Sequence, residues 1–373
     1  MDRVAAAGAV VALVASLSLP FVVLRANRIV AGVLLPVWSA GVVGALLVAA
    51  CAASAVVAVV PLRRRGAWVL ASASACTVAL AWALGTAAGR LLEGAPAFAR
   101  VSIGLGAWLV VAGVAVQWFA GVHGEPGRWA LSGAAVVALV GLVGAALLGG
   151  LGRLSIAVEY AQQGAAFWQY VGTHLAVAGT ALGAAIVIGV PLGVVCTRAP
   201  RTRSVVLAVV GIIQTVPSLA LLGLLIVPLA ALGLPGIGPL PGIIALTLYA
   251  LLPIVRNTYV GLAGVDDAIV DAGRGMGMSS GQLLLRVEAP LALPLVIEGV
   301  RSAAVLVIGI AAVVAFIGVG TLGVYVFEGF GFGVDDLIML GAVPMVVLAI
   351  AADVALRLLA RAAVSSGIRA GTS

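Results

Sequence analysis

The chain has 373 residues, 64% of them hydrophobic and 9% charged, with a mean hydropathy of +1.28. No soluble core hides that much apolar surface, so lipid is the solvent for most of the chain. The formal charge of +7 comes from arginine alone, because the sequence contains no lysine. That excludes a Walker A phosphate loop and amine-based covalent catalysis, and arginines scattered at span ends leave no nucleic-acid patch.

Lipid offers no hydrogen-bond partners, so spanning segments are helices or a closed barrel. The apolar runs here are about 20 residues long without ten-residue alternation, and this predicts helices. The expected fold is all-α, a polytopic membrane helix bundle of about ten transmembrane helices: 5–24, 32–60, 67–89, 101–121, 129–151, 172–196, 204–230, 240–262, 291–318 and 337–360. The first run lacks a small-residue cleavage site and is expected to stay as a span. The second, from Ile29 to Leu62, exceeds what a bilayer of about 30 Å requires. It either tilts or begins with a surface segment ending near Pro36.

Arginine positions orient the bundle. With the N-terminus inside, the inner side receives Arg3, Arg63, Arg64, Arg65, Arg128, Arg198, Arg201, Arg203, Arg256, Arg274, Arg286, Arg301, Arg357, Arg361 and Arg369. The outer side keeps Arg25, Arg28, Arg90, Arg100 and Arg153. Fifteen against five is the positive-inside bias of a multi-pass protein of the cell (inner, cytoplasmic) membrane. Cys51, Cys76 and Cys196 stand far apart in apolar runs and are expected to pack. His123 and His174 are isolated, so no metal site and no cofactor are expected. Gly179/Gly183 and Gly189/Gly193 have the spacing of close helix packing. Near 152–171 polarity rises, and Trp168 and Tyr170 suit a helix arriving at the lipid interface. The chain is divided there into an N-terminal group of about five helices, 1–165, and a C-terminal group of five, 166–362, with a tail at 363–373.

Pro217, in the run QTVPS, lies within a span and leaves a carbonyl without its usual donor. Gln214, Thr215 and Ser218 are polar at depth and either satisfy that kink or line a pore. Pro253 poses the same question. Asp266 and Asp267 then precede AIVDAGRGM, a short helix with acids at its positive end, which Gly275 and Gly277 break. Ser279 and Gln282 have capping-box spacing and open a second helix. Arg286 and Glu288 are expected toward water, and Pro290 and Pro294 are expected to stop the helix. Glu298 and Arg301 share a helix face, as do Asp353 and Arg357, and each pair is read as structural or as part of a gate.

The stretch Asp271-Ala272-Gly273, then Gly277, then Val287-Glu288-Ala289-Pro290 resembles the cytoplasmic motif EAA-x3-G-x9-I-x-LP of permease subunits of binding-protein-dependent ABC importers. It differs by Asp for Glu, Gly for Ala, Val for Ile and Ala for Leu, with the spacing kept. QTVPSLALLGLLIVPL (214–229), IIALTLYALLPIVRNTYVGL (243–262), 271–294 and GVGTLG (318–323) look like the osmoprotectant branch, and the likeness covers 172–360. The resemblance implies a type-I importer permease core. It implies import of glycine betaine, choline or carnitine, a separate ABC ATPase, an extracytoplasmic binding protein, and a second permease copy or paralogue.

In that frame Asp271, Ala272, Gly273, Arg274, Gly277, Arg286 and Pro290 meet the ATPase, and Gly277 allows a turn that a Cβ would obstruct. The substrate cation meets aromatic faces, with Tyr249, Tyr259, Phe316 and Tyr325 as candidates beside Gln214, Thr215, Pro217 and Ser218. The outer loop 325–336, with Glu328, Asp335 and Asp336, receives the binding protein or closes the outer gate. Two other classes stand beside this one. An ion-coupled secondary transporter needs buried, unpaired acids, and a scaffold or sensor has no use for the docking motif.

Overall fold

The computed structural model describes residues 2–28, 30–124 and 127–363; the expected tail lies outside them after 363. The chain forms two compact units, one of Met1–Gln163 with Gly329–Leu337 and one of Gly164–Glu328 with Ile338–Ser373.

The first unit holds helices α1 (Asp2–Ser18), α2 (Val42–Val59), α3 (Arg65–Leu92), α4 (Leu105–His123), α5 (Arg128–Leu147) and the short α6 (Ser155–Gln163). Apolar runs this long saturate their backbone hydrogen bonds only as helices. α1 and α4 meet backbone to backbone: a Cβ on Gly8 would lie 2.6 Å from the Gly113 carbonyl, and one on Gly113 would lie 2.4 Å from that of Gly8. The unit also has strands, which the all-helical expectation left out. β1 (Val22–Arg25) pairs antiparallel with β2 (Val33–Leu35) and β3 (Arg100–Ile103), in the order β2-β1-β3. These runs are too short to span, rich in Val, Leu and Ile, and bounded by Pro20, Pro36 and Gly104, a strand signature. The stretch before Pro36 is thus strand rather than span, and α2 starts beyond it. The cysteines pack as expected: Cys51, Cys76 and Cys196 are buried free thiols, and Cys51 on α2 shares one core cluster with Cys76 on α3.

The second unit holds α7 (Ala165–Arg198), α8 (Pro200–Thr215), α9 (Ser218–Ala231), α10 (Pro239–Ala263), α11 (Asp267–Gly275), α12 (Ser280–Leu283) and α13 (Ala289–Ile310), with the start of α14 (Gly323–Phe332) and all but the first three residues of α15 (Asp335–Ala363). Glycines bring α7, α10 and α13 together. Cβ atoms on Gly189 and Gly193 would meet Ile254 at 2.9 Å and Thr258 at 2.5 Å, and one on Gly299 would meet Asn257 at 2.8 Å. Gly179 and Gly183 have no such neighbour, so of the two expected pairs only Gly189/Gly193 makes a close approach. Ala181, Ala185, Ala250, Ile254, Ala303 and Val307 lie in the buried core between these helices.

Among the described residues, eight helices are long and apolar enough to cross a membrane, and α8 with α9 adds a ninth broken span bent by 108°. α1 has 17 residues, about 25 Å of helix, and is the tenth apolar segment. The expected span over 204–230 is thus two helices, and the kink expected at Pro217 is a break between them at Val216 and Pro217.

Candidate functional site: the elbow and the broken span

The polar segment between α10 and α13 is built as expected at its start. Asp266 caps α11, its Oδ1 accepting from the Ala268 amide at 2.9 Å. Asp267 in the first turn and Arg274 in the last complement the helix dipole. Ser279 and Gln282 form a reciprocal capping box: the Ser279 Oγ accepts from the Gln282 amide at 3.3 Å, and the Gln282 Oε1 accepts from the Ser279 amide at 2.9 Å. Between them Gly277 takes φ +81°, the left-handed region glycine enters without cost. No atom lies within 4 Å of where its Cβ would be. The turn therefore needs glycine for its dihedral, and the close approach lies instead at Gly273, whose Cβ would sit 2.6 Å from Leu283 Cδ1. Asp271, Ala272, Arg274, Met276, Leu285, Arg286 and Pro290 are exposed on this elbow, and Asp271 and Arg274 pair within α11 at 2.9 Å.

Two expectations fail here. Glu288 does not face water; it is buried and paired with Arg198 at the end of α7. Nor do Pro290 and Pro294 end the helix, since residues Ser280–Ile317 run as one 38-residue helix. A five-residue π-turn, Leu284–Glu288, precedes the prolines. Its wider ring accommodates a residue without an N–H and relieves the ring's clash with the preceding turn.

At the broken span the sequence grouped Gln214 with Pro217 and singled out Tyr249 and Pro253 apart from them, and the structure joins Gln214 to Tyr249. Pro253 lies inside α10 and lacks the N–H that would serve the Tyr249 carbonyl, four residues back. Gln214 Nε2 donates to that carbonyl at 2.7 Å. The Tyr249 hydroxyl in turn donates to the Val216 carbonyl at the bend. Thr215 is exposed and its hydroxyl turns back to Ile212 at 2.7 Å. Ser218 and Tyr249 border a void of about 10 Å³, at the lower limit for one water.

The other aromatics differ in what they offer. Arg203 covers the Tyr259 ring at 5.3 Å and donates to its hydroxyl at 2.7 Å, so that face already holds a cation. Phe316 is 55% exposed and lies against Phe327, centroids 4.1 Å apart. Tyr325 is buried between Tyr170 at 5.3 Å and Phe167 at 6.2 Å.

The expected outer loop 325–336 is largely helix α14, because its residues run Tyr-Val-Phe before the first glycines. Glu328 and Asp335 are exposed, but Asp336 is buried and accepts from the Ser102 hydroxyl, while Asp335 pairs with Arg25 at 2.6 Å. The two expected ion pairs are one chain: Glu298 pairs with Arg301, Arg301 reaches Asp353 at 3.1 Å, and Asp353 holds Arg357 at 2.6 Å. Sequence reasoning missed Arg198 and Arg203 as partners. Neither carries a local signal, because their partners lie on other helices.

A polytopic bundle of apolar helices with one capped polar elbow and a proline-broken span is a membrane permease in class. Residues 189–364 match the binding-protein-dependent transport system inner membrane component, and residues 2–157 match the N-terminal domain of the ABC transporter permease YehY. The carnitine transport permease protein OpuCB of Listeria monocytogenes is 43% identical over 189 residues, 51% of this chain and 82% of that protein. The glycine betaine/carnitine/choline transport system permease protein OpuCB of Bacillus subtilis is 39% identical, covering 53% of this chain and 88% of the relative. The osmoprotectant import permease protein OsmW of Salmonella typhimurium is 42% identical, covering 52% and 91%. The chain belongs to the family of binding-protein-dependent transport system inner membrane components, the permeases of ABC importers.

Proposed function

We propose that this permease imports quaternary ammonium osmoprotectants of the glycine betaine, choline and carnitine type. A separate ABC ATPase drives it by docking on 266–290, an extracytoplasmic binding protein delivers the substrate, and a second permease copy or paralogue completes the path. The observation that carries this reading is the elbow itself: two capped helices joined at Gly277, with Asp271, Arg274, Met276 and Arg286 exposed on it. A segment that only linked two spans would not need two caps and a fixed left-handed turn. The absence of lysine supports the same division of labour, since the phosphate-binding loop must then come from another chain. The relatives named for carnitine, choline and glycine betaine support the substrate class.

The test is uptake of labelled glycine betaine by vesicles holding this permease with its ATPase and binding protein. Uptake is expected to need ATP and to vanish when the ATPase is inactivated; uptake that persists on an ion gradient alone overturns the reading. Glu298 and Asp353, the acids an ion-coupled carrier would use, are each held by arginine, which favours the ATP-driven reading.

A further inference from the structure

We propose that Arg198 and Glu288 are positioning residues for the transport stroke, pinning the register of the π-turn through which the elbow drives α13. This rests on the elbow being the ATPase-docking surface.

Within the continuous helix Ser280–Ile317, residues Leu284–Glu288 form a wide turn that holds one residue more than an α-turn. Such a surplus residue can migrate along a helix, and each step rotates the residue it passes by about 100°, the angle between successive α-helical residues. A push on the elbow could then be absorbed as rotation and never reach the bundle. Glu288 is the last residue of the wide turn, where migration into α13 would begin. Its side chain is 6% exposed and its partner is Arg198. Leaving this position would strand a buried carboxylate without its counter-charge, which is costly.

Arg198 is a fixed post because α7 is locked to α10 through Gly189 against Ile254 and Gly193 against Thr258. α10 is locked to α13 in turn: Cβ atoms on Gly261 and Gly299 would lie 3.1 Å from the Ala292 carbonyl and 2.8 Å from Asn257. The ion pair therefore joins the elbow to both ends of one glycine-packed block, so that α7 and α13 move together.

The experiment compares the wild type with Glu288→Gln, Arg198→Gln and the reversed pair Glu288→Arg/Arg198→Glu. Each is reconstituted with the ATPase and binding protein, and the readout is substrate imported per ATP hydrolysed. Each single variant is expected to keep its ATP hydrolysis while that ratio falls about tenfold, the weight of one charge-assisted hydrogen bond, and the reversed pair to recover most of it. A Met276→Cys cross-link to the ATPase runs in parallel on the exposed tip. If the cross-link forms and the single variants keep the wild-type ratio, or the reversed pair does no better than the singles, the register role is overturned and docking stands. If it fails to form in the wild-type background, docking and this proposal fall together.

Discussion

Two glycines four residues apart in the elbow do different work, and substitution separates them. Gly277 has free space but φ +81°. Gly277→Asn is therefore expected to retain uptake, whereas Gly277→Val carries the left-handed penalty of roughly 1–2 kcal/mol and is expected to lose most of it. Gly273 has ordinary dihedrals but no room, so Gly273→Val is expected to push α11 off Leu283 and lower the yield of the Met276 cross-link to the ATPase. The buried Glu159 gives a pH prediction. Burial holds its carboxyl above the ordinary 4.5, Arg28 and Arg100 pull it partly back, and Asp336 adds to the rise. A raised folded-state value means that the stability this group contributes is fully present below the unfolded value and is lost as pH rises through the folded one. Thermal unfolding from pH 4 upward is expected to show that loss in the wild type and a flatter profile in Glu159→Gln, with equal slopes counting against the assignment.

At the scale of elements, the 108° break between α8 and α9 follows from one proline at the bend and a second on the helix that braces it. Tyr249 straddles the bend, receiving Gln214 on its carbonyl and donating its hydroxyl to Val216. Tyr249→Phe would leave the Val216 carbonyl without that donor, and an unmet buried acceptor costs about 1–3 kcal/mol. A lower unfolding temperature in detergent is expected, with a wild-type midpoint showing that the bend stands without this bond. The ion chain from Glu298 to Arg357 links α13 to α15 through Arg301, which touches two acids while Arg357 touches one. Arg301→Gln is therefore expected to destabilise more than Arg357→Gln, measured in the same melting experiment.

Over the whole molecule, the chain leaves the second unit at Gly329 and returns to it after Leu337. Within the first unit, Val334 and Leu337 are 2% and 1% exposed, and Asp336 accepts from Ser102. Removing residues 1–157 would open those apolar side chains to solvent or lipid and strip Asp336 of its hydroxyl donor. The truncated permease is expected to elute as aggregate in detergent size-exclusion chromatography. A monodisperse, transporting fragment would show that 329–337 folds without the extension.

Composition and period by themselves determined the solvent, the helical class and the position of each apolar segment, because lipid leaves the backbone no other way to satisfy its polar groups. The caps of the elbow were equally legible, since Asp266, Ser279 and Gln282 act on amides two or three residues away. Tertiary structure decided what depends on distant partners. It buried Glu288 against Arg198, put Arg203 over Tyr259, gave the Pro253-freed carbonyl to Gln214, and drew two remote cysteines together. It also converted a proline stop into a π-turn. The first three outcomes turn on a neighbour 35 to 90 positions away, which local spacing does not encode and only packing brings within reach.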